Sequence, residues 1–365
     1  MTSRLTGPMV CMNTNRKEIV MCRSCRIGPI VVASVLALCA GQVAFAQVDW
    51  TYGDLAVPPG PPGSWNEGRN LVGDVVFDGT TYHMYLIGGP DGNPLDNSWS
   101  VGHWTWNDLT LQWDPDPCNP VMEPEPGRWD AFTIGHLAVL YDGAEFRMWY
   151  GATDSYHGAG RGGYATNTDG RCYWDKHGGN PLAGLEPGPV GAWNENGAWP
   201  SSVVFDGSTY HMWFTAGEGD TWDGTWGIGH ATSMDGLSWT MDPDPAIEAT
   251  ESWDGDKVTF PEVVRIGDGF AMWYSGFFMS PVTAAIGYAV SPDGLHWGKW
   301  PGNPVLSPRP GYPTVESPSM IIEGDMIHGW VTHYYEIEHV TSPFELLFFD
   351  GFESGDTSIW GGSVP

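Results

Sequence analysis

One sequence unit recurs along this chain about every 60 residues, and this repeat constrains the fold more than any other feature. The unit is marked by an Asp-Gly turn, or in its last copy a Glu-Gly-Asp turn, at Asp78, Asp142, Asp206, Asp268 and Asp325. The steps are 64, 64, 62 and 57 residues. Each turn precedes an aromatic strand-like segment, such as Phe146 to Tyr150. A fixed period of this size indicates an array of one supersecondary unit.

Each unit contains the signals of four short strands. An apolar strand leads into the Asp-Gly turn, the Met-Trp strand follows, and a Gly-Tyr/His strand comes third, as at Gly163 to Thr166. A second turn, such as Ser233 to Gly236, then precedes a tryptophan on a fourth strand. Turn signals at this spacing without a helical period predict an all-β fold. We expect a five-bladed β-propeller over residues 64–345, with four antiparallel strands per blade and most of the 21 tryptophans packed between blades.

The two ends of the chain do not carry the repeat. Arg23 and Arg26 precede an apolar run from Ile27 to Ala40, and small residues at Ala44 and Ala46 suit cleavage. Residues 1–46 are therefore predicted to be a secretory signal peptide, with translation starting at Met21. Residues 47–63 are predicted to be a Pro/Gly linker, and residues 346–365 a C-terminal tail. We expect a secreted, periplasmic or cell-surface bacterial protein without a membrane span.

The net charge limits which classes of partner the protein can bind, and the cysteines limit its disulfide and metal chemistry. The formal net charge is −29 at pH 7. Such a field repels nucleic acid and anionic membranes and suits a neutral or cationic partner. The protein is expected to be a monomer. After the predicted leader only Cys118 and Cys172 remain, and they either form a disulfide or stay two separate thiols. Neither a metal site nor a cofactor is predicted, because the rest of the chain has no Cys-x-x-Cys motif and no close histidine spacing.

The repeat also helps to distinguish structural residues from candidate functional residues. A residue present in every unit serves the fold, whereas a polar residue that breaks the repeat on a channel-lining first strand is a functional candidate. The predicted catalytic carboxylates are Glu316, Asp74 and Glu262. The predicted substrate-binding residues are His136, Trp199 and Ser201. Carboxyl groups that share one channel push their pKa values apart, which allows one to act as an acid and another as a base.

The unit pattern resembles the five-bladed glycoside hydrolase superfamily of arabinanases, xylosidases, invertase-like fructosidases, levansucrases and mannoside phosphorylases. The resemblance covers about residues 64–345, through Val-Val-x-Asp-Gly, Met-Trp-Tyr and Gly-Tyr-Ala-Thr segments. It implies that Glu316, in Glu316-Ser317-Pro318, is the general acid, and that Asp74 or Glu262 is the base or nucleophile. Pro318 should make Ser317 extended, and partial desolvation should raise the pKa of Glu316. The resemblance implies a secreted glycoside-hydrolase-like protein that acts on a neutral glycan or glycoside, with carbohydrate as its partner. The alternative function is a non-catalytic carbohydrate-binding or surface-interaction propeller.

Overall fold

The computed structural model describes residues 18–19, 50–90, 98–219 and 224–344, and these residues form strands, turns and loops without a helix. No helix in these ranges could cross a membrane. The chain opens with two short strands, β1 (Glu18–Ile19) and β2 (Thr51–Val57). Apart from β1, which pairs in parallel with a later strand, the predicted signal peptide lies outside the described residues, as does the predicted tail.

Two of the four sheets are antiparallel and contain four consecutive strands each, as the repeat predicts. The first sheet consists of β3 (Arg69–Phe77), β4 (Tyr82–Gly89), β5 (Ser100–Asn107) and β6 (Gln112–Pro115). The second sheet consists of β7 (Thr133–Tyr141), β8 (Phe146–Thr153), β9 (Arg161–Asn167) and β10 (Asp175–Lys176). In both sheets the first two strands are joined through the Asp-Gly turn, whose aspartate accepts backbone N–H groups two and three residues further on.

The third sheet has nine strands and contains two further copies of the unit. One copy is β11 (Trp199–Phe205), β12 (Tyr210–Gly217), β13 (Trp226–Ser233) and β14 (Thr240–Met241). The other is β15 (Lys257–Ile266), β16 (Gly269–Met279), β17 (Val282–Ser291) and β18 (Gly298–Lys299). A single parallel pair, Trp226 with Lys257, joins the two copies, and β1 is the ninth strand. The described residues therefore form four sheets, and the division into five blades stays a prediction.

The last sheet is completed by the beginning of the folded chain. It contains β19 (Glu316–Glu323), β20 (Met326–His333), β21 (Glu336–Pro343) and, as its fourth strand, β2. Residues 51–57 lie within the segment expected to be a linker, yet they pair antiparallel with β21. The Pro/Gly run from Pro58 to Gly63 then forms the connection to the first sheet. Pairing of β2 with β21 joins the beginning and the end of the 50–344 stretch in one sheet, which closes the array.

The first strands of the units contact one another in cyclic order through one repeated position. The residues at this position lie opposite the second-strand aromatics and are Asp74, Ala138, Ser202, Glu262 and Ser319. Four of them accept a backbone N–H from the next first strand: Asp74 from Val139 (2.8 Å), Ser202 from Val263 (3.0 Å), Glu262 from Met320 (3.4 Å) and Ser319 from Val75 (3.0 Å). The first strands therefore surround one axis as a ring.

Aromatic side chains of the second strands connect neighbouring units. Each donates its polar hydrogen to the carbonyl of a turn glycine one unit ahead: Tyr85 to Gly170, Trp149 to Gly236 and Trp213 to Gly294. These glycines have φ values of 73°, 75° and 80°, a region that side-chain-bearing residues rarely adopt. Trp149 and Trp213 thus pack between units as expected, and their indole N–H groups are hydrogen-bonded.

Buried histidine pairs occupy the repeat positions that we assigned to architecture. His83 contacts His103 at 2.9 Å, and His103 contacts the buried Asp116 at 3.0 Å. His211, His230 and Asp242 form the same chain two units later. His83, His103 and His230 are buried and hydrogen-bonded, which agrees with the architectural role that the repeat predicts for them.

The two cysteines of the folded region form a disulfide. Cys118 follows β6 and Cys172 precedes β10, so the bond connects the first sheet to the second. It closes a separation of 54 residues. Of the two open alternatives the structure has the paired state, which is the state expected in an oxidising compartment.

Candidate active site

A cavity of about 650 Å³ lies at the end of the ring where the first strands begin. Each of these strands contributes to its wall, through Leu71, Gly135, His136, Trp199, Phe260 and Glu316. The wall is mainly apolar and aromatic, with a few polar side chains. This composition is typical of small-molecule sites, where polar groups fix orientation and the rest excludes water.

Every first strand carries an irregularity of pairing next to this cavity. In β15 and β19 the bulged residue is not glycine, yet Phe260 and Ser317 have φ values of 49° and 53°. The extended conformation expected for Ser317 is therefore wrong. Its N–H donates to Ser275 Oγ at 3.0 Å and its hydroxyl donates to the Val72 carbonyl, and these bonds hold the strained backbone. Bulges of this kind re-aim side chains, and strain of this kind is concentrated at functional sites.

Glu316, the first residue of β19, is half-buried in the cavity wall. Burial raises the pKa of its carboxyl group to about 7, although the Thr314 side chain and the charge of Arg69 act in the opposite direction. The expected upward shift is therefore present. Glu316 is also the sole carboxylate among the described residues that line the cavity. At pH 6 most of this carboxyl group is protonated and can donate a proton.

His136 lies across the strand ring from β19 and is held in one orientation. Its ring stacks on Phe260 with 4.4 Å between centroids and an interplanar angle of 4°. Nδ1 lies 2.9 Å from Ser201 Oγ, and the Ser201 hydroxyl lies within donating distance of the Trp199 carbonyl, which favours the tautomer with the proton on Nδ1. Burial lowers the pKa of His136 to about 3. The imidazole is therefore neutral at physiological pH, with Nε2 unprotonated and able to accept a hydrogen bond.

Trp199 lines the cavity beside His136, whereas Ser201 lies behind both as their hydrogen-bond partner. The Trp199 indole donates to Asn196 Oδ1 at 3.3 Å and packs against three glycines. A Cβ at Gly135 or Gly151 would come within 2.9 Å of this ring, and one at Gly160 would come closer still. The structure thus brings Glu316, His136 and Trp199 to one cavity, as expected for an acid and two binding groups.

The structure does not place Asp74 or Glu262 among the residues that line this cavity. Both are 1% exposed and occupy the ring position described above. In β19 this ring position is Ser319, three residues after Glu316, so Glu316 lies at a different level of the ring from Asp74 and Glu262. Asp74 accepts the Val139 N–H and Glu262 accepts the Met320 N–H. Their polarity reflects the joining of neighbouring units, because an unsatisfied buried N–H would be costly.

Removal of the Asp74 acceptor should destabilise the ring. We expect Asp74→Ala to lower the free energy of unfolding by about 1–3 kcal/mol, since it leaves the Val139 N–H buried without this partner. Asp74→Asn keeps an acceptor oxygen and should cost less. Urea unfolding of the two variants checks this, and an Asp74→Ala variant as stable as the wild type would contradict the assignment.

Arg69 forms another part of the wall, together with the aromatic residues Trp99, Tyr334 and Tyr335. The Arg69 guanidinium carbon lies 4.9 Å from the centroid of the Tyr335 ring and 5.8 Å from that of Trp99. Tyr334 and Tyr335 connect β20 to β21 with φ values of 45° and 86°. Such φ values are rare for tyrosine, and the sequence has no glycine or asparagine here that would predict them.

Comparison with solved structures identifies the architecture. The chain is similar to a glycoside hydrolase with a TM-score of 0.65 and 18% identity, over 81% of this chain and 92% of that chain. A thermostable family-43 glycoside hydrolase gives 0.57 and 20%, over 78% and 92%. A structure from the GH130 family of mannoside phosphorylases and glycoside hydrolases gives 0.63 and 13%, over 82% and 95%. The chain has the fold of the propeller glycoside hydrolases.

Sequence comparison adds relatives without a described activity. The chain is 29% identical over 229 residues to uncharacterized proteins from two strains of Mycobacterium tuberculosis, covering 60% of this chain and 70% of each relative. No protein-family model matches the chain. The propeller glycoside hydrolase fold is therefore shown by structure, while the reaction has to be inferred from the cavity.

Proposed function

We propose that this protein is a secreted, five-bladed propeller enzyme that hydrolyses a neutral glycan or glycoside, with Glu316 as its general acid. The observation that carries the proposal is the position of Glu316: a carboxyl group with a pKa near 7 on the wall of the cavity, in a fold used by glycoside hydrolases. The five blades are the three four-stranded sheets and the two halves of the nine-stranded sheet. N-terminal sequencing of protein from culture medium checks secretion.

In this proposal Glu316 protonates the oxygen of the leaving group while the glycosidic bond breaks, and a water molecule forms the new bond to the anomeric carbon and releases its proton to solvent. Glu316 then regains a proton from solvent. The sugar ring stacks on the exposed part of Trp199. His136 Nε2 accepts a hydrogen bond from a sugar hydroxyl, and its pKa of about 3 keeps it an acceptor throughout the working pH range. The resemblance implied Asp74 or Glu262 as base or nucleophile. Both carboxylates instead accept backbone N–H groups from a neighbouring unit, so Glu316 is the one catalytic group that we propose.

A survey of substrates tests the function. Purified protein is incubated with aryl glycosides and with neutral oligosaccharides, and both hydrolysis and binding are measured. We expect hydrolysis of at least one class, with kcat/KM constant below pH 7 and falling about tenfold per pH unit above it, because the pKa of the acid is about 7. A rate that rises through this range would contradict the role of Glu316 as proton donor.

The second candidate is a non-catalytic carbohydrate-binding propeller. It is favoured by one observation: within the described wall, Glu316 has no second carboxylate facing the cavity, whereas ordinary glycoside hydrolysis uses two. The same survey separates the candidates. Binding of oligosaccharides without turnover of any of them would establish the binding module and exclude the enzyme.

A further inference from the structure

Arg69 is a cation in the cavity wall. It starts β3 and is half-buried, and among the described residues it forms no ion pair and donates no hydrogen bond. Its contacts are the Trp99 and Tyr335 rings, which offer favourable cation–π interactions but no acceptor oxygen. The guanidinium therefore keeps its N–H donors available to a molecule in the cavity.

The charge of Arg69 is not balanced by the rest of the wall. Glu316 is mainly uncharged below pH 7, and His136 is neutral because it is buried against Phe260 and bonded to Ser201. Below pH 7 the described part of the wall therefore carries a net positive group, although the whole chain has a charge of −29. At physiological ionic strength the field of distant carboxylates is screened beyond about 8 Å, so nearby groups decide what binds.

The surroundings hold the guanidinium in place. Arg69 pairs with Gly89 at the edge of the first sheet, and Tyr335 reaches it from a turn in which both tyrosines have positive φ. A planar group fixed in this way matches a planar carboxylate, which can accept two parallel N–H bonds from one arginine. A lysine in the same place would lack this geometric match.

We propose that Arg69 binds the carboxylate of a uronosyl residue, so that the substrate is a mainly neutral glycan with one acidic sugar beside the scissile bond. This inference rests on the proposed function for the position of the bond, but the binding of the carboxylate can be tested alone. A single acidic sugar can pair with the Arg69 guanidinium. A polyanionic chain would be repelled by the overall charge of −29.

The test compares matched pairs of ligands. Calorimetry with the full protein measures the affinities of methyl glucuronide and methyl galacturonide against methyl glucoside and methyl galactoside. We expect at least one acidic ligand to bind about tenfold or more tightly than its neutral counterpart, the size of a charge-assisted pair. Arg69→Gln should bring this ratio close to one, and Arg69→Lys should keep only part of it. Arg128→Gln, which changes an exposed arginine paired with Glu125, should leave the ratio unchanged.

Several results would overturn the inference. These are equal affinity for acidic and neutral ligands, a preference that survives Arg69→Gln, and Arg69-dependent binding of inorganic phosphate without binding of either uronide. The outcomes also separate this inference from the proposed function. Hydrolysis of neutral glycosides with no acidic preference would refute the inference alone, whereas Arg69-dependent uronide binding without any hydrolysis would refute the enzyme and keep the carboxylate site.

Discussion

Replacement of Glu316 by glutamine is expected to lower turnover of an active glycoside by about 10²-fold or more, the usual scale for loss of an acid–base group. Glutamine keeps the shape and hydrogen-bonding ability of the side chain but has no proton to transfer. Because ground-state contacts with the sugar are retained, KM should change far less than kcat. Initial rates at pH 6, where the wild-type carboxyl group is mainly protonated, measure the effect.

A matched variant distinguishes chemistry from strand damage. Glu323 is the last residue of the same strand, β19, and does not line the cavity. Glu323→Gln should therefore keep near wild-type turnover. If both variants lose activity together, the loss comes from the strand and not from proton donation, and the assignment of Glu316 fails.

The protein is expected to lose about 5 kcal/mol or more of its free energy of unfolding between pH 7 and pH 4. Burial lowers the pKa of His136 to about 3, and the pKa values of His103, His333 and His339 to about 4. Below pH 6.5 the unfolded chain binds protons on these side chains while the folded chain does not. Stability is therefore full above pH 6.5 and is lost as the pH falls towards 4.

Glu316 acts in the opposite sense. Its pKa is about 7 in the folded protein, above the ordinary value of 4.5, so its contribution is largest below pH 4.5 and is lost as the pH rises to 7. That shift is about 2.5 pH units, or roughly 3 kcal/mol. The four histidines together exceed it, so the net expectation is loss of stability in acid.

Urea unfolding at several pH values measures this slope. His333 is buried, and its Nε2 lies 3.4 Å from a carboxylate oxygen of the buried Glu338. His333→Phe should therefore remove one titrating group, together with its contact to Glu338, and should reduce the loss of stability between pH 7 and pH 4.5 by about 2 kcal/mol. Exposed His177→Gln should leave the slope unchanged. A wild-type stability that is constant from pH 7 to pH 4 would show that the buried histidines do not control acid stability.

The sequence predicted the units because their signals are local. Asp-Gly turns, alternating aromatic strands and glycine positions depend on short-range geometry, so the strands and their order follow from them. The inter-unit role of the tryptophans also followed, because Trp149 and Trp213 recur at one position. The strand at Thr51–Val57 did not follow from the pattern, since it is irregular in sequence and is formed by pairing with the distant β21.

The candidate site was predicted in part. Glu316, His136 and Trp199 reach the cavity, but Asp74 and Glu262 were grouped with Glu316 because all three are acidic and lie on first strands. Alignment of Asp74-Val75-Val76 with Glu262-Val263-Val264 and Ser319-Met320-Ile321 would have separated them, since it places Glu316 three residues earlier. Arg69 and Tyr335 could not be found in this way, because they meet only when the last unit closes on the first.

The most direct test of the central role of Glu316 is the dependence of the Glu316→Gln effect on the leaving group. Turnover of wild type and variant is compared for glycosides of one sugar with phenols of increasing acidity and with an alkyl alcohol. A poor leaving group needs protonation, so the wild-type advantage should be about 10²-fold or more for the alkyl glycoside and should shrink towards one for the most acidic phenol. An equal loss for all leaving groups, or no loss for the alkyl glycoside, would contradict proton donation by Glu316.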